Sequence, residues 1–278
     1  MPGKGPSVAI VIVTYNSRDE IGPCLDSLVG HTAPFATTVT VVDNASSDGT
    51  SAYVREGWPS VQVIDAGGNL GFSRANNLGI RATRGDYVVV LNPDTIAPPG
   101  GMPTLVRGLA AHPDAAIAGP RLLNERGFPE LSWGPAISPW GELKQKIVSS
   151  LYHRKVRRVV RRIDHLSRQS REVAWVTGAC MAIRRADLEG VGLFDERYFL
   201  YTEDVDLCMA VRRRGRRVLF FAQAEFVHHQ GRSAARNPRT EQMRRRSQLA
   251  YYQKHLPLWA GPLRLYLLLT RKLRGPAA

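Results

Sequence analysis

Short apolar runs alternate with amphipathic segments along the first half of the chain. Val8–Val13 is continuously apolar and rich in β-branched residues, as expected of a strand buried on both faces. Apolar residues then recur at helical spacing and predict a helix over about 19–29. Further strands are predicted at Val39–Val42, Val61–Ile64, Tyr87–Leu91 and Ala115–Gly119, and further helices at Thr50–Glu56, Phe72–Arg81 and about 103–111. This alternation predicts an α/β fold, with a mostly parallel central sheet flanked by helices.

The pattern is weaker in the second half of the chain. A strand is predicted over 174–183. A helix is predicted over Asp204–Arg213, because acidic residues at its start suit the positive end of the helix dipole. Residues 142–172 are strongly basic, and we expect them to form either a mobile, lid-like insertion or a basic helix on the surface. The regular sheet is therefore expected mainly in the first half.

Charge is distributed unevenly along the sequence. The 278 residues carry a net charge of +14, and the excess is confined to residues 142–172 and 212–278. A basic surface attracts nucleic acid, anionic lipid head groups or phosphorylated substrates, and charge alone does not distinguish them. Hydrophobic residues make up 44% of the chain and charged residues 22%, which excludes wholesale disorder.

Neither a membrane span nor a disulfide scaffold is indicated. The run Val8–Val13 is too short to cross a bilayer or to serve as a signal peptide. Cys24, Cys180 and Cys208 lie far apart, without the CxxC spacing of a zinc cluster. These features predict a protein of the reducing cytoplasm.

Polar residues stand directly after several predicted strands. Thr14–Asn16, Asp43–Asn44 and Asn92–Asp94 each follow an apolar run, and Asn69 comes after the third strand. Taken singly, an Asp after a strand is more often a turn residue or a helix cap. A parallel sheet would gather all four positions along one edge, where open α/β sheets bind ligands. Their hydroxyl, amide and carboxylate groups suit a nucleoside and a metal-bound diphosphate.

A series of short motifs extends this pattern through residues 7–235. In order they are Ile12–Asn16, Val42–Thr50, Asn69–Ile80, Leu91–Asp94, Thr177–Met181, Gly192–Glu196, Tyr198–Cys208 and His228–Ser233. Together they resemble glycosyltransferase family 2, most closely its rhamnosyltransferase-like branch. The resemblance implies a GT-A fold, a nucleotide-sugar donor, a divalent cation (Mg2+ or Mn2+) and inversion at the anomeric carbon.

The resemblance also implies roles for individual residues. Asp43 would hold the base or the ribose of the nucleotide. Asn92 and Asp94 take the place of the family's DxD motif, with Asn92 where the first Asp usually stands, so Asp94 becomes the metal ligand. His228, or its neighbour His229, would approach the metal or the diphosphate. The other donor-binding residues implied are Thr14, Tyr15, Asn16, Asn44, Asn69, Gly71, Phe72, Asn76 and Asn77.

Sugar transfer requires two kinds of group in any such enzyme. The departing nucleoside diphosphate gains negative charge, which a Mg2+ or Mn2+ ion held by a carboxylate neutralises. The acceptor hydroxyl is a poor nucleophile and needs a carboxylate as general base. The resemblance gives this role to Asp204, and the charges of Glu203 and Asp206 would shape its electrostatic field. The alternative is that these three acidic residues only favour the start of a helix.

The resemblance also suggests how the chain is divided. Residues 1–235 would form the GT-A catalytic domain, with 1–120 as its donor-binding half and 121–235 as its acceptor-binding half. The basic segment 142–172 would be an insertion in the second half. Residues 236–278 form a basic amphipathic extension, which suits either the interface of an anionic membrane or packing on the catalytic domain.

These features predict an inverting glycosyltransferase, with L-rhamnose from dTDP-L-rhamnose as the favoured donor. Its acceptor would be a hydroxyl of a cell-surface glycan or a glycan linked to polyprenyl diphosphate, reached by peripheral contact with the inner face of the plasma membrane. A homodimer is compatible with the sequence. The alternatives are a UDP-sugar donor (galactofuranose, glucose or N-acetylhexosamine) and a non-enzymatic scaffold or polyanion-binding protein. Nucleic acid is not expected as a partner, because the charge lies outside the motif-bearing core and no nucleic-acid-binding motif is present.

Overall fold

A computed structural model describes residues 5–32, 34–229 and 240–273 of the chain. It shows a nine-stranded mixed sheet flanked by helices, together with a two-stranded ribbon. The strands are β1 (Ser7–Thr14), β2 (Ala36–Asp43), β3 (Gln62–Asp65), β4 (Tyr87–Leu91), β5 (Thr95–Ile96), β6 (Ala115–Leu123), β7 (Trp133–Gly134), β8 (Arg171–Glu172), β9 (Trp175–Val176), β10 (Cys180–Arg184) and β11 (Arg217–His228). The helices are α1 (Arg18–Leu28), α2 (Thr50–Gly57), α3 (Phe72–Ala82), α4 (Gly101–Ala110), α5 (Pro139–His153), α6 (Arg157–Ser167), α7 (Arg185–Gly190), α8 (Glu203–Arg213), α9 (Thr240–His255) and α10 (Pro257–Leu269).

The sheet combines a parallel half with a mixed half. Its strand order is β3-β2-β1-β4-β10-β6-β11-β5, with β8 paired to β11. The first four strands of this order are parallel to one another. β10 runs antiparallel to both of its neighbours, so its first residue, Cys180, lies opposite the last residue of β4, Leu91. The predicted parallel sheet is therefore confirmed, and β10 brings the second half of the chain to the edge where β1, β2 and β4 end.

The apolar run of β1 is explained by burial on both faces of the sheet. Ile10 and Ile12 pack in one core cluster and Val11 and Val13 in another, and none of the four is more than 8% exposed. Each such side chain contributes about 1.5–3 kcal/mol when it is fully buried. α3 approaches β1 closely at Gly79, where an added Cβ would lie 2.6 Å from a methyl carbon of Val11. The core thus fixes the end of β1, where the polar positions begin.

The single strand predicted over 174–183 is wrong. The chain forms β9 and β10 instead, separated by a turn at 177–179. Within this turn the backbone N–H of Gly178 donates to Oδ2 of Asp204 at 2.8 Å, so it takes no part in a strand ladder. The interruption therefore places a backbone donor against the predicted general base.

The basic segment 142–172 is largely helical, as the second of the two alternatives predicts. α5 and α6 account for most of it. α5 has no buried residue, and α6 buries only Ile163 and Ser167. Both helices therefore lie on the surface, with most of their side chains reaching solvent.

α9 of the C-terminal extension packs on the rest of the protein. Lys254 Nζ lies 2.7 Å from carboxylate oxygens of both Asp195 and Asp206. Asp206 Oδ1 lies 2.6 Å from His255 Nε2 and accepts a hydrogen bond from the hydroxyl of Tyr198 at 3.0 Å. Because Asp206 belongs to α8, these contacts tie the extension to the helix that begins beside the predicted base.

Replacing Asp206 by Asn is expected to destabilise the protein by about 3 kcal/mol, because Lys254 and His255 lose a buried counter-charge. Burial acts to raise the pKa of Asp206, but hydrogen bonds from His255 and Lys254 outweigh it and hold the pKa below its ordinary value. The carboxylate therefore stabilises the fold above the unfolded-state pKa of about 3.9, and this contribution is lost as the pH falls through the lower folded-state value. Urea unfolding across that pH range measures both effects.

Asp195→Asn is the matched control for that variant. Asp195 is the other carboxylate that contacts Lys254, and its side chain is 21% exposed, whereas that of Asp206 is 3% exposed. We expect Asp195→Asn to cost less than about 1 kcal/mol. If both variants lose the same free energy of unfolding, or if the stability of Asp206→Asn still falls with pH as in the wild type, the contacts of Asp206 with Lys254 and His255 do not stabilise the fold as described.

Candidate active site

The proposed nucleotide end of the site lies where β1 and β2 end. Thr14 and Asp43 are register partners, and the Thr14 hydroxyl donates to Asp43 Oδ1 at 3.1 Å. The backbone N–H of Ser46 donates to the other carboxylate oxygen at 3.1 Å. Asn16 adopts a φ of 52°, and its Oδ1 accepts a backbone N–H of the turn after β2 at 2.8 Å. Tyr15, which directly follows Thr14, is 45% exposed.

The loop before α3 is held by two paired amides. Asn44 Nδ2 donates to Asn69 Oδ1 at 3.0 Å, and Asn44 Oδ1 accepts a backbone N–H of the loop at 2.7 Å. Gly71 then adopts φ 79° and ψ 173°, a conformation essentially restricted to glycine. The N–H of Phe72 donates to the carbonyl of Phe199 at 2.7 Å. The loop is thereby joined to the segment that precedes α8.

Replacing Gly71 by Ala is expected to destabilise the protein by about 3 kcal/mol, the sum of a backbone cost and an overpacking cost. An added Cβ would lie 2.5 Å from the carbonyl oxygen of Phe199. Gly67→Ala is the control, because Gly67 has a φ of 74° but nothing within 4 Å of the added Cβ, so we expect a cost of only about 1 kcal/mol. Urea unfolding compares the two variants, and equal costs would contradict the close approach at Phe199.

Asn76 and Asn77, which the resemblance assigns to donor binding, make hydrogen bonds inside the protein. Both are completely buried in α3. Asn77 donates to the carbonyl of Phe194 at 2.9 Å and accepts its N–H at 3.0 Å. Asn76 donates to the carbonyl of Phe72 at 2.9 Å. The amide of Asn77 is thus used in internal hydrogen bonds, whereas Oδ1 of Asn76 is buried without a hydrogen-bond partner among the described residues.

Asp94 and His228 meet at the other end of the site. β11 pairs with β5, which brings His228 opposite Thr95. Its Nε2 lies 3.2 Å from Oδ1 of Asp94, a carboxylate that is only 8% exposed. Its Nδ1 lies 2.9 Å from Oε2 of Glu130. A carboxylate at Nδ1 fixes the ring so that Nε2 faces Asp94.

Asp94 and His228 fit a divalent cation. Asp94 Oδ1 is buried and, apart from its 3.2 Å contact with His228 Nε2, has no hydrogen-bond partner in the part of the chain that the structure describes. Burial lowers the pKa of His228, but contacts with Asp94 and Glu130 outweigh burial and raise the pKa to about 9 in the metal-free protein, so a cation bound by Nε2 would displace a proton. Over residues 5–32, 34–229 and 240–273, no group of three or more His, Cys, Asp or Glu side chains forms a complete metal centre. Few protein ligands suffice when substrate phosphates supply the remainder, as is usual for Mg2+.

His229 points elsewhere. Its Nδ1 lies 2.7 Å from Oε1 of Glu125, and its backbone N–H donates to the carbonyl of Asp94 at 2.9 Å. Of the two adjacent histidines, His228 is therefore the one whose ring faces Asp94. Gly231 and Ser233, which follow in the same motif, lie outside the described residues.

Asp204 stands in the first turn of α8. Its Oδ2 accepts the N–H of Gly178 and its Oδ1 the N–H of Val205, each at 2.8 Å. In the same turn, 177–179, the carbonyl of Ala179 accepts the N–H of Asn92 at 2.9 Å. This turn therefore links the carboxylate of Asp204 to the segment that carries Asp94. Burial raises the pKa of Asp204, although these N–H donors act against the rise.

Glu203 is more deeply buried than Asp204. It is 5% exposed, and its Oε2 has no hydrogen-bond partner among the described residues. Burial and the neighbouring charge of Asp204 raise the pKa of Glu203 well above its ordinary value. Glu203 thus keeps its proton to a higher pH than a surface glutamate, which limits like-charge repulsion at Asp204.

The turn before α8 is strained and is held by α9. Tyr201 and Thr202 have φ values of 68° and 72°, which cost about 1–3 kcal/mol each in residues other than glycine. The Ser247 hydroxyl donates to the carbonyl of Leu200 at 2.7 Å, and the Arg244 guanidinium lies 4.6 Å from the ring centroid of Tyr201. The position of Asp204 therefore depends on the C-terminal extension, a dependence that the sequence patterns do not indicate.

Glu130 is the other site residue that the sequence patterns miss. It follows Pro129 in an irregular stretch with no helical or strand period, where an isolated acid is ordinarily a solvent-exposed loop residue. In the structure it is only 9% exposed. A buried acid next to a histidine is a contact between distant parts of the chain, so the sequence carries no local signal for it.

Known proteins are similar to this chain in both sequence and fold. The family model described as "Glycosyltransferase like family 2" matches residues 6–254. An N-acetylglucosaminyl-diphospho-decaprenol L-rhamnosyltransferase of Mycobacterium tuberculosis is 30% identical over 270 residues, covering 92% of this chain and 87% of that protein. The rhamnosyltransferase WbbL of Escherichia coli is 27% identical, over 81% of this chain and 86% of its own.

Among solved structures, the mannosyltransferase PcManGT of Pyrobaculum calidifontis, in complex with GDP-Man and Mn2+, aligns with a TM-score of 0.63 and 20% identity. The alignment covers 93% of this chain and 68% of that one. At this identity the likeness bears on the fold, and it agrees with the mixed sheet and the flanking helices described above. The chain is a glycosyltransferase of the GT-A fold and belongs to glycosyltransferase family 2, with rhamnosyltransferases among its relatives.

Proposed function

We propose that this enzyme transfers L-rhamnose from dTDP-L-rhamnose, with inversion, to a hydroxyl of a glycan carried on a polyprenyl diphosphate. The relatives supply the sugar and the acceptor class, since one of them is a diphospho-decaprenol rhamnosyltransferase. The observation that carries the chemistry is the placement of Asp204. Its partly buried carboxylate is held by the N–H of Gly178, one turn of chain from the Asp94 segment.

The residues at the two ends of the cleft have separate roles in this proposal. Asp43, with Thr14, Tyr15 and Asn16 beside it, receives the nucleoside. The amides of Asn44 and Asn69 keep the adjoining loop in place.

Asp94 and His228 would hold the Mg2+ or Mn2+ ion, which supplies Lewis-acid neutralisation of the leaving diphosphate. Glu130 holds the His228 ring in the orientation that this requires. The Asp204 carboxylate accepts the proton of the acceptor hydroxyl, and its raised pKa makes it a better base than an exposed aspartate.

The donor is tested by calorimetry of the purified protein with dTDP-L-rhamnose, UDP-glucose and UDP-galactofuranose, each with and without Mn2+. We expect metal-dependent binding of dTDP-L-rhamnose, at least about tenfold tighter than of the UDP-sugars. Preferential binding of a UDP-sugar would replace the donor and leave the reaction class intact. Absence of binding by every donor would favour the scaffold alternative.

We also propose that α10 contacts an anionic membrane surface. Among the described residues no helix is both long and apolar enough to cross a bilayer. Leu258, Leu265 and Leu269 lie at i, i+7 and i+11 on one face of α10 and are 90%, 59% and 75% exposed. Arg271 and Lys272 follow that apolar stripe. Exposed leucines next to cations are the composition of a helix that lies in the interface of an anionic bilayer.

Changing these three leucines to Ser is expected to reduce binding to phosphatidylglycerol-containing vesicles by at least about tenfold, because less apolar area enters the interface. The fold should be unaffected, since none of the three side chains is buried. Val29→Ser, at an exposed apolar position after α1, is the control variant. Vesicle flotation measures the effect, and unchanged binding of the triple variant would refute the contact.

A further inference from the structure

A large basic cavity lies beside the active site, between α5, α6, α9 and the chain before β7. Its volume is about 1180 Å3. Six of the cations in its wall have no acidic partner within the described part of the chain: Arg126, Lys146, Arg154, Lys155, Arg157 and Arg161. The acids in the wall pair with other groups than these six cations: Glu130 contacts His228, and Glu142 accepts hydrogen bonds from Gln248 and Tyr252.

The positive charges around this cavity favour the binding of a ligand with several negative charges. Like charges around a concave surface repel one another and generate a strong positive potential inside it. A ligand with several negatively charged oxygens within a small volume relieves that repulsion and forms charge-assisted hydrogen bonds with the guanidinium groups. A diphosphate has this chemistry, whereas a neutral sugar does not.

Two residues of the cavity wall, Glu130 and Thr202, adjoin the proposed catalytic groups. Glu130 lines it and contacts His228, which faces Asp94. Thr202 lines it too, and it immediately precedes Glu203 and Asp204 at the start of α8. A molecule bound in the cavity can therefore extend one end towards the reacting centre.

The surface of α5 suits the other, hydrophobic end of such a molecule. Glu142, Lys146 and Ser149 of α5 face the cavity. On a different face of the same helix, Trp140 and Ile147 are 75% and 52% exposed. A ligand with an anionic group in the cavity and a hydrocarbon tail outside it would find cations and apolar surface on one helix.

We propose that this cavity is the subsite for the diphosphate of the prenyl-diphosphate-linked acceptor. The inference rests on the proposed function, because it assigns the acceptor of that reaction to particular residues. Arg157 and Arg161, one turn apart on α6, bind phosphate oxygens. The acceptor sugar extends past Thr202 to Asp204, and the prenyl chain leaves along the exposed face of α5.

The test uses two pairs of cations on the same helix. Arg157 and Arg161 line the cavity, whereas Arg158 and Arg162 do not. The probe is farnesyl-diphospho-N-acetylglucosamine, and its binding to the full chain is measured by calorimetry without donor or metal. R157Q/R161Q should weaken binding by at least about tenfold, the effect of losing charge-assisted contacts. R158Q/R162Q should change it by less than about twofold, the effect of a screened surface charge.

Two further ligands identify what the cations recognise. The octyl glycoside of N-acetylglucosamine lacks phosphate, so its binding should be equal in both double variants. Inorganic pyrophosphate should compete with the probe in the wild type. If the two pairs differ in binding to phosphatidylglycerol vesicles but not to the probe, the cations serve lipid head groups and the proposal is overturned. Equal weakening of probe binding by both pairs, or weakening by neither, overturns it as well.

A separate transfer assay keeps this inference distinct from the proposed function. If the wild type binds the probe with the expected difference between pairs but transfers no sugar to it, the subsite stands and the proposed reaction fails. If transfer proceeds and the pairs behave alike, the reaction stands and the subsite fails.

Discussion

Asp204→Asn is expected to lower kcat by about 10³-fold while leaving donor affinity unchanged, within the range seen when a general base is removed. The asparagine has the same shape, and its single amide oxygen can still accept one of the two N–H groups, of Gly178 or of Val205, that bond to Asp204. It has no basic oxygen to take the proton of the acceptor hydroxyl. In the proposed function the donor binds around Asp43 and Asp94, so its affinity should not depend on the change.

Initial rates and donor calorimetry test this expectation together. Glu203→Gln is the control, because it alters the adjacent buried carboxyl and leaves the base in place, so its effect on kcat should be much smaller. Retention of more than about a tenth of the activity by Asp204→Asn would show that another group removes the proton, since such a loss is below the usual contribution of a base. Loss of donor binding would indicate a structural role.

The pH dependence of kcat is a second readout of the same carboxylate. Burial raises the pKa of Asp204, and only the ionised form can accept a proton. The rate should therefore fall as the pH decreases through this raised pKa, at a higher pH than for an ordinary aspartate with a pKa of about 3.9. The acid limb should be absent from the residual activity of Asp204→Asn.

Asp94→Asn is expected to lower kcat/KM by at least about 100-fold and to abolish the effect of Mn2+ on donor binding, because the cation loses its carboxylate ligand. Asp94 is buried, and the change keeps the shape of its side chain while removing the negative charge that lies 3.2 Å from His228 Nε2. Calorimetry with Mn2+, with and without dTDP, measures the metal affinity independently of turnover.

The two adjacent histidines provide a matched pair for the same test. His228 faces Asp94 at 3.2 Å, whereas His229 faces Glu125 at 2.7 Å. His228→Gln should weaken Mn2+ binding by at least about tenfold, and His229→Gln should not. Equal effects of the two changes, or full Mn2+ affinity in Asp94→Asn, would contradict a metal site at Asp94 and His228.

The sequence predicts the parallel half of this fold well, because burial on both faces produces an unbroken apolar strand. Val8–Val13 shows this signal, and the polar residues that end β1, β2 and β4 follow at once. The apolar pattern alone therefore places positions such as Thr14 and Asp43 at one edge of the sheet. The strand predicted over 174–183 failed because an apolar run does not reveal that the N–H of Gly178 bonds to a side chain.

Contacts between distant segments account for the other differences. Asn77 lies within a recognisable motif, yet its amide is used to hold Phe194, more than a hundred residues away. Glu130 and the strained pair Tyr201 and Thr202 carry no local signal, since their positions depend on His228 and on α9. A motif indicates that a residue type is required at a position, and packing decides whether it touches ligand or protein.

The proposed reaction is the transfer of rhamnose, with inversion, to a lipid-linked sugar. The decisive experiment incubates the purified protein with dTDP-L-rhamnose, Mg2+ and farnesyl-diphospho-N-acetylglucosamine, and analyses the product by mass spectrometry and proton NMR. We predict one added rhamnose whose anomeric configuration is opposite to that of the donor, formed about 10³-fold more slowly by Asp204→Asn. A product with retained configuration, or no transfer from a protein that binds both substrates, would contradict the account.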